Sequence, residues 1–135
     1  MSDAQLILEI IEDAGYEYEN IDKVIQEEIA KSQNFIKQIQ EMSETEFLNM
    51  ISKSLFGVAS KGYYINKHKQ RIQQLEQAKK SIDYLLEQYN RNPSWFEWII
   101  KNSYKGNVKP IKEAIKKLAK TKFNNKLIAY TQPKP

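Results

Sequence analysis

Residues 63–89 read YYINKHKQRIQQLEQAKKSIDYLLEQY. Within them Ile65, His68, Ile72, Leu75, Lys79, Ile82, Leu86 and Tyr89 recur at alternating spacings of three and four. That is the period of one face of an α-helix, and no strand can present such a series to a single side. Two of the eight positions, His68 and Lys79, are polar. The segment therefore predicts a long helix of a bundle rather than a pure coiled coil.

Helix signals continue on both sides. Upstream, Ser43 with Glu46 three residues later has the pattern of a capping box, in which each side chain satisfies the other's exposed backbone donor. Phe47, Met50, Ile51, Leu55 and Val58 follow at helical spacing. Gly57 and Gly62 interrupt that run, which predicts a break near Lys61–Gly62; one long helix bent there is the alternative. Earlier still, Ile21, Ile25, Ile29, Ile36 and Ile39, widened by Val24 and Phe35, predict a long helix from Ile21 to Met42 that starts after Asn20. At the front, Ser2 with Gln5 forms a second capping pattern. Leu6, Ile7, Ile10, Ile11 and Ala14 make an apolar stripe, and Gly15 supplies the left-handed stop.

Downstream, Asn92 or Ser94 can cap a short helix, with Pro93 in its first turn, where a missing donor costs nothing. Trp95, Trp98 and Ile99 are its expected anchors. SYKGNVKP is a loop. The last helix is expected from Pro110 to Phe123, burying Ile111, Ala114, Ile115 and Leu118, with residues 124–135 as a tail ending TQPKP. The expected fold is all-α: one domain over 1–135, an antiparallel bundle of five or six helices.

The chain has 135 residues, of which 41% are hydrophobic, enough to fill a core. It has no cysteine, which excludes disulfides, thiol nucleophiles and thiolate metal sites. The opening MSDAQLILEIIEDAG lacks the basic start and cleavage pattern of a signal peptide, and apolar runs stop at three or four residues. A cytoplasmic protein is expected. Charge is distributed unevenly. Residues 1–50 carry 3 basic and 12 acidic groups, residues 51–100 carry 8 and 4, and residues 101–135 carry 10 and 1. Either an acidic partner meets the basic end, or the two ends neutralise each other in the folded chain.

The basic end is concentrated in KPIKEAIKKLAKTK, 109–122, with six lysines and one glutamate. Lys109, Lys112, Lys116 and Lys120 stand three, four and four apart and so share a face. Like charges at this spacing destabilise an isolated helix by a few tenths of a kcal/mol per pair, which a phosphate-bearing partner would relieve. The plain alternative is a solvated helix face. A second cluster, KGYYINKHKQR, sets Lys61, Lys67, Lys69 and Arg71 beside Tyr63 and Tyr64. Cations interleaved with aromatic rings suit a single-stranded nucleic acid, whose bases stack while its phosphates pair; tyrosines at a helix start equally suit a core. Basic charge is nearly all lysine, which favours loose phosphate contact over bidentate base readout. No zinc-finger spacing, RNP pattern or GxxG loop accompanies these clusters. An interfacial membrane helix would need a broader apolar face than Ile111, Ile115 and Leu118 provide, so no membrane partner is expected.

Catalysis is not expected either. His68 is the one histidine, which excludes a histidine metal cluster, and its heptad position predicts a packed ring. Glu9, Glu12, Asp13, Glu17, Glu27 and Glu28 could at most hold a hard cation weakly. No phosphate-binding glycine loop is present, and no cofactor is implied. Two readings follow. In one, the chain is a non-catalytic subunit binding DNA or RNA backbone through its lysines, alongside other subunits or copies of itself. In the other, it is a protein-binding module (an inhibitor, immunity protein or adaptor) without nucleic-acid contact. In size, helical layout and charge, with KGYYINKHKQR and KPIKEAIKKLAK as its basic stretches, the chain resembles the small helical subunits of CRISPR effector complexes. That resemblance implies helical bundles packed along a guide–target duplex, held by basic faces and without catalysis of their own.

Overall fold

Among the described residues, six α-helices follow one another: α1 (Asp3–Asp13), α2 (Ile21–Glu41), α3 (Glu44–Ser52), α4 (Lys61–Arg91), α5 (Pro93–Ser103) and α6 (Lys109–Thr131). A single 3-10 turn, Tyr18–Asn20, precedes α2. The computed structural model describes residues 3–52 and 60–131, the side chains of 52 and 124–131 excepted. Among the described residues there is no strand, and the fold is an all-α helical bundle. The expected cap at Ser2, and Leu55, Gly57 and Val58, lie outside the described residues.

The chain divides into two compact units. The first holds residues 1–25 and 76–135, the second 26–75, so the division falls inside α2 and α4. In the first, the predicted stripe Leu6, Ile7, Ile10, Ile11 and Ala14 is buried, and α1 packs on α6. The facing stripe of α6 is the expected Ile111, Ala114, Ile115 and Leu118, joined by Ala119. Ile82, Leu85 and Leu86 of α4 are buried in the same unit. Each fully buried Leu or Ile stabilises by about 1.5–3 kcal/mol, which fixes which face of each helix turns inward.

Helix α1 ends as Gly15 predicts. Gly15 takes φ 63° and its N–H donates to the Glu12 carbonyl, while the Tyr16 N–H reaches back to the Ile11 carbonyl. This pair of bonds is a Schellman motif and satisfies two otherwise orphaned carbonyls. Tyr16 itself has φ 59°, a conformation that costs a side chain with a Cβ about 1–2 kcal/mol. Thr121 of α6 holds this strained turn. Its hydroxyl accepts from the Tyr18 N–H at 3.1 Å and lies 3.2 Å from the Tyr16 carbonyl and 2.9 Å from that of Leu118, either of which can take its proton.

Two expectations are corrected in this unit. The last helix does not stop at Phe123 but runs to Thr131. Asn124 and Asn125 are only weakly unfavourable in a helix, and Lys126, Leu127 and Ala129 favour it; the sequence's hard stop is Pro133. The second correction concerns α5. Of the two candidate caps Asn92 is the one used, accepting from the Trp95 N–H at 3.1 Å, and Pro93 occupies the first turn, as expected. Its buried residues, however, are Phe96, Ile99 and Ile100. Trp95 and Trp98 stand outside, 44% and 55% exposed. Both sets have the same three-and-four spacing and share Ile99, so periodicity alone does not choose between them.

The second unit contains most of α2, all of α3 and the start of α4. Ile29, Ile39, Phe47 and Leu75 are buried, with Ser32 beside them. Ser43 caps α3 by accepting from the Glu46 N–H at 3.1 Å, and Ser60 caps α4 through the Tyr63 N–H at 3.2 Å. The predicted break before Gly62 is thus the start of α4.

Candidate functional site

Folding redistributes the charge that is so uneven along the sequence. Residues 1–25, with seven of the twelve acidic groups of the first fifty residues, belong to the same unit as the basic end; that unit holds fourteen basic and twelve acidic residues, and the second unit holds seven and five. Each unit is therefore close to balanced, and any electrostatic site has to be a local excess of one sign.

The lysine ladder of α6 is half occupied from within. Glu97 of α5 projects between Lys112 and Lys116, 2.5 Å from the first ammonium and 3.7 Å from the second. The hydrogen bond from Lys112 is the main cause that holds the Glu97 carboxyl below the usual range; burial opposes it, and the charges of both lysines add to the lowering. Lys117 lies over the Tyr16 ring and Lys122 over that of Tyr18, 4.9 and 4.4 Å from the centroids. Such cation–π contacts stabilise by about 0.5–1 kcal/mol near a surface. Lys109 and Lys120 are exposed, as are Lys101 in the last turn of α5 and Lys105 between α5 and α6. Among the described residues these four have no carboxylate in ion-pair range.

The 61–71 cluster belongs to the second unit, so the two basic groups sit in different units. Lys61 closes the end of α2, donating to the Met42 carbonyl, and lies 3.8 Å from Glu44. That role is structural. Arg71 approaches Glu28 at 3.9 Å. Lys67 lies 4.8 Å from the Tyr63 centroid, and its interaction with that side chain raises its pKa. Lys69 is exposed. Tyr64 packs edge-on against buried Phe47, whereas Tyr63 is 47% exposed. Of the two candidate stacking rings, one serves the core and the other has a lysine over it.

His68 is packed, as its heptad position predicts. Its ring lies 4.2 Å from that of Phe35, and Nδ1 is 3.4 Å from the Ser32 hydroxyl. Burial, reinforced by the charge of Arg71, lowers its pKa and favours the neutral ring. It borders a cleft of about 440 Å³ with Lys31, Lys67 and Arg71. Among the described residues no three acidic or histidine side chains converge on a possible metal position. No helix among them is long and apolar enough to cross a membrane.

The feature missed by sequence reasoning is on α5. Trp95 and Trp98 stack face to face, with centroids 4.8 Å apart and planes 7° apart. Beside Trp98 a cleft of about 490 Å³ is lined by Glu97, Lys101, Gly106, Val108 and Lys112. Lys101 and Asn102 follow Trp98 by three and four residues, and this polar continuation was the available sign that the indole face is wet. No family model, curated protein or solved structure matches this chain.

Proposed function

We propose that the chain is a non-catalytic helical subunit that holds nucleic-acid backbone, DNA or RNA, through lysine-rich surface, as part of a larger assembly. The setting is one like that of the small helical subunits of CRISPR effector complexes, which the chain resembles in size, layout and charge. The observation that carries the reading is the set Lys101, Lys105, Lys109 and Lys120: four exposed ammonium groups near one chain segment, without ion-pair partners among the described residues. Unpaired lysines on flexible stems suit phosphate, and they carry no base-specific readout. Glu97 favours the second reading, a protein-binding module without nucleic-acid contact, because it already occupies Lys112 and Lys116.

One titration separates the two. Binding of a labelled single-stranded oligonucleotide is followed against salt concentration, for the wild-type chain and for Lys109→Glu/Lys120→Glu. Backbone binding predicts an affinity that falls linearly on a log–log scale, with a slope reduced by about 1.4 in the double variant, since each phosphate contact contributes about 0.7. Affinity no greater than that for an uncharged polymer would remove the proposal and leave the protein-binding module.

A further inference from the structure

We infer that Trp95 and Trp98 form a stacking platform for the bases of a single-stranded nucleic acid whose phosphates are taken by Lys101 and the lysines beside it. This rests on the backbone-binding reading above and adds to it a place and a strand class.

Two large indoles in water are costly unless something covers them, because each exposes apolar surface that burial would stabilise. Trp95 and Trp98 are also the chain's two tryptophans, and both stand outside. Their position is fixed from below. Phe96, Ile99 and Ile100 are buried and set the rotation of α5, while the Asn92 cap and Pro93 fix its start. The inner faces are used up against each other, at 7° between planes. What remains is a flat outer π-face already in place, so a stacking base would order nothing new. Nucleobases match such a face, and every base has one, which suits binding without sequence readout.

Charge identifies the occupant further. Residues 93–112 carry Lys101, Lys105, Lys109 and Lys112 against Glu97 alone. Trp98, Lys101 and Lys112 line the same cleft, so cation and ring are neighbours in space as well as in sequence. Gly106, at the cleft wall with φ 86°, has nothing within 4 Å of where a Cβ would stand, which leaves room for a sugar–phosphate chain. A second copy related by a two-fold axis would bring the same lysines against these, a like-charge arrangement that disfavours that contact. An acidic protein remains, and the experiment distinguishes it.

With no other tryptophan in the chain, intrinsic tryptophan fluorescence reports on this pair alone. The full chain is titrated with oligothymidylate, with inorganic polyphosphate of similar charge, and with poly-glutamate. Oligothymidylate is expected to quench the emission, and polyphosphate to bind without quenching. Trp98→Ala and Trp95→Ala should each weaken oligothymidylate about 10-fold, leave polyphosphate affinity and salt slope unchanged, and leave helicity as in wild type. Trp98→Phe should restore part of the loss. Salt-dependent oligothymidylate binding with unchanged emission and wild-type affinity in both alanine variants would overturn the platform while sparing the backbone reading. Failure of both polyanions to bind would remove the backbone reading and the platform together. Quenching by poly-glutamate alone would assign the indoles to a protein partner instead.

Discussion

Lys79 occupies a core position of the α4 heptad, and its surroundings explain how a lysine is kept there. Its ammonium lies 2.7 Å from Asp83, 3.2 Å from the Tyr18 hydroxyl and 3.6 Å from Asp22, and Tyr18 in turn donates to Asp83 at 2.8 Å. Burial pushes the ammonium down, but the bonds to Asp83 and Tyr18 outweigh it and raise the Lys79 pKa above 10.5. Tyr18 is raised above 10.0, by burial first and then by its bond to Asp83. Both groups thus hold their protons more tightly folded than unfolded, so their contribution is complete at neutral pH. It is lost as pH climbs past the unfolded values of 10.0 and 10.5 and through the raised ones. Thermal melts should show Tm falling above about pH 10, and Asp83→Asn should flatten that decline. Thr121→Val tests the strained turn. The isosteric change strands the Tyr18 N–H and should cost about 1–2 kcal/mol in denaturant unfolding. Heptad spacing located Lys79, and Asp83 stands four residues further on the same helix, but Tyr18 and Asp22 come from a distant stretch of chain that spacing does not reveal.

Helix α5 shows what periodicity can and cannot decide. Its existence and first turn were legible in NRNPSWFEW, with Asn92 and Ser94 both open as its cap; its rotation was not. Sets 95/98/99 and 96/99/100 both form a stripe, and residue size favours the tryptophans, whereas the core accepts Phe96. Phe96→Ala should therefore destabilise by about 3–5 kcal/mol, and Trp98→Ala should stay within about 0.5 kcal/mol of wild type by the same measurement. The α6 ladder was legible as a face, but its occupant was not, because Glu97 reaches it from another helix. Glu97→Gln should release Lys112 and Lys116. Exposed ion pairs stabilise little, so the expected outcome is a nearly unchanged Tm with tighter oligonucleotide binding and a steeper salt slope.

At the scale of the molecule, the helix count, most core positions and the all-α class followed from spacing and caps. The charge argument did not transfer so directly, because residues 1–25 and the basic last stretch belong to one unit, where basic and acidic groups nearly balance. A uniform basic surface is therefore not what a polyanion would meet. If the proposed function holds, the four unpaired lysines of the α5–α6 region set the scale, and the log–log salt slope for single strands should be about −3. A slope near zero would contradict phosphate contact; one about half again as steep, near −4, would mean that Lys112 and Lys116, the lysines held by Glu97, are also engaged.

The pairing of α1 with α6 has a consequence for biosynthesis. The bonds joining Tyr16 and Tyr18 to Thr121 span 105 and 103 residues. On a ribosome adding about 5–20 residues per second, the leading helix waits on the order of 5–20 s before its partner is even made. Through that interval Leu6, Ile7, Ile10 and Ile11 have no α6 to cover them, and a nascent chain in this state is the form most open to chaperones and to aggregation.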